Sequence, residues 1–196
     1  MPVEEKTEGR TRDMEFIQWL QSLNEEQEGK EGRKRQKERA VLATLRRGLG
    51  KVPGTAIEMY PYLMRFGPWD SDWEMKSYFM IASLFAHHSA PGGTGNMGTT
   101  MAAVKRETGS ESIERRFVAL LNAHPDDLYR HLRHAVSLAK SKEVPVNWGQ
   151  LLQDIKNWPS TTGMVQRKWA REFWTGEAPA EASGEAEKTE NEHEEE

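Results

Sequence analysis

The sequence contains no cysteine and no long apolar run. Without cysteine, the 196-residue chain can form neither a disulfide framework nor a zinc ribbon, and it suits a reducing compartment. No stretch approaches the roughly 20 apolar residues that a membrane-spanning helix needs. The first residues lack the basic-then-apolar order of a signal peptide. These absences predict a soluble, unprocessed, cytoplasmic protein with no membrane partner.

Catalytic motifs are also missing. The chain has no G-x-S-x-G nucleophile motif and no H-E-x-x-H zinc motif. The loop Gly93–Gly98 matches G-x-G-x-x-G, but that pattern binds dinucleotides only after a strand, and here a predicted helix precedes it. As a phosphate loop it fails as well, because Thr99 stands where the lysine should be. The pattern therefore predicts a connecting loop rather than a nucleotide site.

The histidines offer weak support for a metal site. His87 and His88 are adjacent, so on a helix they diverge by about 100° and cannot chelate together. His131 and His134 are three residues apart and could share a helix face. We predict no catalytic residue, no metal and no cofactor. A metal-dependent phosphohydrolase built on His131 and His134 is kept as an alternative function.

Apolar spacing predicts an all-α protein with two small helical bundles. No run alternates apolar and polar residues as a half-buried strand would. The predicted organisation is a flexible N-terminus (1–12), an N-terminal bundle (13–95), a C-terminal bundle (96–175) and a disordered acidic tail (176–196). We expect Asp13 to cap a first helix from Met14 to about Gln27. The other predicted helix-start residues are Asp70 or Ser71, Ser110, Pro125 and Asn147.

The distribution of charge is more informative than the total. Residues 30–51 carry nine Lys or Arg against two acids, whereas residues 177–196 carry nine Glu and one Lys. Removing the tail's net charge of −8 from the chain's −4 leaves the first 176 residues at +4. A basic body is the electrostatic footprint expected of a protein that contacts phosphate.

Helical geometry places the basic residues on particular faces. Val41, Leu42 and Leu49 fall near Leu45 on the predicted buried stripe of the second helix. Arg35, Arg39 and Arg46 lie about 80–120° around the helix from Leu45, on one flank. Later helices place further cations on outer faces or flanks. Arg133 and Lys140, which are seven residues apart, share one flank of their helix. The predicted nucleic-acid-binding residues are Arg35, Arg39, Arg46, Arg47, Lys105, Arg106, Arg115, Arg116, Arg130, Arg133 and Lys140. Nothing in the sequence predicts base reading, since helix-turn-helix, RNP and zinc-finger patterns are absent.

Several short motifs occur in a fixed order over about residues 14–175. They are Trp19-Leu20, Leu45–Gly48, Phe79–Ala86, Asn96–Gly98, Glu114–Phe117, Leu132-Arg133, Pro145–Trp148 and Arg167–Trp174. Their order resembles the CasB family, the small subunits of the type I-E CRISPR surveillance complex Cascade. The resemblance implies that the family's basic positions correspond to Arg46, Arg47, Arg115, Arg116 and Arg133.

The resemblance implies a non-catalytic scaffold with two helical domains. It implies a second copy of the chain stacked head to tail, CasC-type backbone subunits and a CasA-type large subunit as protein partners. It also implies that the protein holds the crRNA–target DNA hybrid and the displaced DNA strand in an open R-loop, without sequence preference. A helical nucleic-acid-binding protein that works without such partners is the other alternative. The acidic tail lies outside the family pattern.

Overall fold

The computed structural model describes residues 3–24 and 32–176, with side chains from residue 9 onward. This part of the chain is entirely helical, as predicted, and contains no strand. Two short 3-10 segments, Ile57–Met59 and Met64–Phe66, flank the third helix. The helices are α1 (Val3–Ser22), α2 (Gly32–Arg46), α3 (Tyr60–Leu63), α4 (Asp72–His87), α5 (Met97–Thr108), α6 (Glu111–Leu121), α7 (Pro125–Ser141), α8 (Trp148–Lys156) and α9 (Met164–Thr175). The acidic residues of the predicted tail, from Glu177 onward, lie outside the described residues.

Polar side chains fix most helix starts where the sequence predicts them. Ser71 accepts a hydrogen bond from the Glu74 amide at the start of α4, and Ser110 accepts one from the Ser112 amide at the start of α6. Asn147 caps α8 in the same way, and Pro125 occupies the first turn of α7. These assignments are confirmed. The first amides of a helix have no intrahelical partner; the three polar side chains each accept a hydrogen bond from one of them, and proline has no such amide.

The prediction that Asp13 caps the first helix is wrong. Helix α1 begins at Val3, so Asp13 lies in its interior and is 5% exposed. Its carboxylate accepts a hydrogen bond from the Tyr78 hydroxyl at 2.5 Å and one from the Gln153 amide at 2.6 Å. Lys156 Nζ contacts both of its oxygens, at 3.1 and 2.9 Å. The carboxylate therefore ties α1 to α4 and α8 instead of ending a helix.

Helix α4 is the centre of the molecule. All its residues from Ser77 to Ala86 are buried, and it packs against α2, α7 and α8. Buried apolar residues from both predicted bundles form one connected cluster around it. The division of the chain at residues 95 and 96 stays a prediction. None of the described helices is long and apolar enough to span a bilayer.

The glycine-rich loop serves helix packing. A Cβ added at Gly93 would collide with the backbone of Val146, and one added at Gly98 would collide with the backbone carbonyl of Trp169. Asn96 caps α5, because its Oδ1 accepts a hydrogen bond from the Gly98 backbone amide at 2.8 Å. The backbone amide of Asn96 donates to Thr99 Oγ1 at 3.4 Å. Thr99, which replaces the lysine of a phosphate loop, thus completes a capping box. The helix begins at Met97, directly after Asn96.

Candidate nucleic-acid interface

Helix α2 presents its predicted basic flank to solvent. Leu45 is fully buried, and Val41 and Leu42 are partly buried beside it, so the apolar stripe faces the core as predicted. Arg35, Arg39 and the C-terminal pair Arg46 and Arg47 are exposed. Guanidinium groups in such a row suit phosphate, since each can donate two parallel hydrogen bonds.

Arg46 joins the end of α2 to the end of α4. Its Nε and Nη2 both donate to the carbonyl oxygen of Ala86, at 2.9 and 2.7 Å. Ala86 lies in the last turn of α4, where carbonyl groups lack an intrahelical partner. The side chain therefore caps α4 while its guanidinium stays in a defined place. Nη1 lies outside this pair of hydrogen bonds.

His87, the last residue of α4, lies where cations from two other helices converge. Its Nε2 is 3.1 Å from Ser137 Oγ on α7. Partial burial lowers the pKa of His87, and the nearby charges of Lys140, Arg46, His88 and Arg133 lower it further. Ser137 lies four residues after Arg133 and three before Lys140 on one flank of α7, and the Ala86 carbonyl that Arg46 contacts belongs to the residue before His87. We call Arg46, His87, Arg133 and Lys140 the His87 cluster.

Arg133, the cluster's arginine from α7, lies against the turn that follows α2. Arg133 Nη1 lies 2.9 Å from the position that a Cβ on Gly50 would occupy. Gly50 has a φ of 82°, which glycine adopts without strain. The Tyr129 hydroxyl donates to the Gly48 carbonyl at 3.1 Å, so α7 clamps this turn at a second point. The glycines thus allow a guanidinium to lie directly over the backbone.

A second basic group lies on the opposite flank of α7. Arg116, His131 and His134 line a recess of about 200 Å³ whose other walls are mostly apolar. Burial lowers the pKa of His131, and Arg130 lowers it further. The spacing of α7 explains the separation, because Arg133 and Lys140 share one flank whereas His131 and His134 face away from it. Arg115 and Arg106 are exposed on the neighbouring helices α6 and α5.

Lys105 and Arg130, both predicted binding residues, form intramolecular ion pairs. Lys105 lies 2.9 Å from Glu114, and the hydrogen bond it donates lowers the pKa of that carboxyl, with a smaller contribution from Trp174. Arg130 lies 3.2 Å from Asp127 on the same helix. Surface pairs of this kind are weak because solvent screens them, so a phosphate could replace the carboxylate.

His87 is not among the residues predicted to bind nucleic acid. Its sequence position beside His88 suggested only a metal ligand. The two rings do diverge, as predicted: His88 Nε2 lies 2.7 Å from the Val144 carbonyl, away from Ser137. The position of His87 at the exposed end of an apolar helix was the available signal. Among the described residues, no three His, Asp or Glu side chains are grouped to hold a metal ion.

Comparisons with known proteins agree on one family. A family model of CRISPR-associated protein Cse2 matches residues 41–174. A CRISPR-associated protein Cse2 of Thermus thermophilus is 32% identical over 171 residues, covering 85% of this chain and 92% of that protein. The crystal structure of CasB from Thermus thermophilus is similar with a TM-score of 0.68 and 29% identity, over 83% of this chain and 97% of that one.

A chain in a structure described as a CRISPR RNA-guided surveillance complex shares the fold. Its TM-score is 0.67 at 21% identity, over 86% of this chain and 93% of that chain.

Proposed function

The chain belongs to the CRISPR-associated Cse2 family, and on that premise we propose that it is the small, non-catalytic subunit of a type I-E Cascade complex. In this role it binds the backbones of the target and displaced DNA strands without sequence preference and stabilises the R-loop. The observation that carries the proposal is that Arg46, bonded to Ala86, and the α7 flank of Arg133 and Lys140, whose Ser137 contacts His87, meet at the end of α4.

The energetics of an R-loop make such contacts sufficient. Exchanging a DNA duplex for an RNA–DNA hybrid is nearly balanced in free energy, so modest contacts to the backbone can shift it. Each phosphate that a cation neutralises releases counterions, which makes the binding steeply dependent on salt. This task requires held cations rather than reacting groups, and the proposed role is therefore that of a scaffold.

The partners follow from the same family role. We propose that two copies of the chain stack head to tail, beside CasC-type backbone subunits and next to a CasA-type large subunit. A chain of the same fold in a structure described as a CRISPR RNA-guided surveillance complex supports membership of such a complex. The nucleic-acid partners are the crRNA–target hybrid and the displaced strand.

The test replaces four exposed arginines with alanine in the reconstituted complex. Arg47, Arg115, Arg116 and Arg133 are suitable, whereas Arg46 is left in place because it also caps α4 through Ala86. R-loop lifetime at moderate salt should fall on the order of tenfold, and the log–log salt slope should become shallower by about 3–4 if each arginine contacts one phosphate. Subunit composition should be unchanged.

A control variant carries the same change in net charge elsewhere. It replaces Lys76, Arg167, Lys168 and Arg171, none of which is a predicted binding residue, and it should retain the wild-type R-loop lifetime. If the four-arginine variant holds the R-loop as long as wild type at elevated salt, the assigned surface is wrong. If the isolated chain binds DNA as tightly as the complex does, the protein works without these partners.

A further inference from the structure

We propose that the His87 cluster binds one phosphate group of the nucleic-acid backbone, and that His87 takes up a proton when the phosphate binds. The inference rests on the proposed function, because it assumes that a polyanion reaches this surface. It goes further in two ways: it selects one site among the predicted basic residues, and it adds a residue that the sequence did not predict to contact nucleic acid.

Cations from two different helices lie near the end of α4. Arg46 is held at the end of α4 by two hydrogen bonds to Ala86, and Arg133 lies over Gly50 in the turn that follows α2. Lys140 lies seven residues after Arg133 on the same flank of α7, and Ser137, which contacts His87, lies between them. Three cations from two helices thus lie near the end of a third. A phosphate there would receive charge-assisted hydrogen bonds, and Arg46 is already held in place by the Ala86 carbonyl.

His87 is the titratable group at this end of α4. The groups that face it are Arg46 from α2, its neighbour His88 on α4, and Arg133, Ser137 and Lys140 from α7. Among the described residues, the charged groups that shift the pKa of His87 most are Lys140, Arg46, His88 and Arg133, and none of these is a carboxylate. Burial and these cations keep the unbound imidazole neutral at neutral pH. A phosphate supplies the negative charge that the cluster lacks.

The direction of the linkage follows from these charges. In the unbound protein the pKa of His87 lies below its ordinary value of 6.5. A bound phosphate favours the imidazolium and raises that pKa, so the complex binds more protons than its separate components. Affinity must then increase as pH falls between the two pKa values, by at most about tenfold per pH unit for one proton. Above the higher pKa and below the lower one, this dependence disappears.

Calorimetry on the full-length chain tests the uptake directly. The probe is a single-stranded DNA of about 20 nucleotides, titrated at constant ionic strength in buffers that differ in ionisation enthalpy. Wild type should show an uptake of up to one proton at mildly acidic pH and none near pH 8. Affinity for the same strand should increase over the same interval, by up to about tenfold per pH unit.

Two variants assign the proton. His87→Gln retains a group that can hydrogen-bond Ser137 but cannot titrate, and its affinity should lose most of this pH dependence. The double variant His131→Gln/His134→Gln removes the histidines of the second basic group and should keep the dependence. Circular dichroism and thermal unfolding establish that both variants are folded.

The outcomes separate this inference from the proposed function. DNA binding that is salt-dependent but takes up no proton overturns the inference and leaves the proposed function standing. Loss of the pH dependence in the double variant, with retention in His87→Gln, also overturns it by moving the proton to the other flank of α7. If neither the chain nor its complex binds DNA, the proposed function fails and the inference fails with it.

Discussion

Replacing Gly98 with alanine is expected to destabilise the protein by about 3 kcal/mol. Gly98 lies in the first turn of α5, where a Cβ would collide with the backbone carbonyl of Trp169 on α9. Neither helix can move away easily, because Trp169 is fully buried and its Nε1 donates to Asp154 at 2.7 Å. Chemical denaturation followed by circular dichroism measures the change in the free energy of unfolding.

Gly149→Ala is the matched control. Gly149 also lies in the first turn of a helix, α8, but an added Cβ would meet only Asn147 Oδ1, at an ordinary 3.7 Å. Alanine favours the helix over glycine by up to about 1 kcal/mol, so this variant should be unchanged or slightly stabilised. Equal stability of the two variants would show that α5 and α9 can separate without cost. The close approach would then not be what requires glycine at position 98.

Replacing Lys156 with methionine is expected to cost about 3 kcal/mol, because it leaves two buried carboxylates without their shared cation. Lys156 Nζ lies 2.9 Å from Asp13 Oδ2 and 2.8 Å from Glu74 Oε1, and the two acidic side chains are only 7% and 8% exposed. In the variant Arg12 Nη2 still lies 3.4 Å from Glu74 Oε1, whereas the groups that still donate to Asp13, on Tyr78 and Gln153, carry no positive charge. Denaturant unfolding again provides the measurement.

Lys76→Met removes a surface ion pair for comparison. Lys76 lies 2.6 Å from Asp72 one helical turn away, but both side chains are substantially exposed, at 34% and 68%. Such pairs contribute less than about 1 kcal/mol, so the variant should be close to wild type. If Lys156→Met is no less stable than Lys76→Met, burial does not strengthen the contacts of Lys156 with Asp13 and Glu74.

Local sequence patterns were sufficient for most of the fold. Helix α7 illustrates this, since Leu128, Leu132, Ala135 and Val136 repeat at helical spacing and all are buried. The resemblance to the CasB family, which depends on the order of short motifs, is confirmed by the Cse2 family match. Asp13 shows where local reasoning fails. Its partners Tyr78 and Lys156 are 65 and 143 residues away, so no nearby residue distinguishes a buried carboxylate from a helix cap.

The candidate site was predictable in its parts but not in its assembly. The spacing of seven residues between Arg133 and Lys140 placed them on one flank of α7. The sequence could not bring Arg46 to that flank, because its position depends on the Ala86 carbonyl 40 residues further along the chain. The sequence also could not show that Arg116 and Arg133 belong to different basic groups. Arg116 on α6 lies beside one flank of α7, and Arg133 lies on the other flank of α7. That each of the eleven residues contacts nucleic acid stays a prediction.

The burial of α4 makes this helix an internal reference for experiments that follow solvent access to the backbone. Its amides from Ser77 to Ala86 are both helical and buried, so they should exchange with deuterium only when the protein opens extensively. A ligand that docks on the surface should slow exchange around α7 and the turn after α2 more than in the middle of α4. A global increase in stability would instead slow exchange in α4 as well. One deuterium-labelling experiment can therefore distinguish contact at the basic flank from general stabilisation.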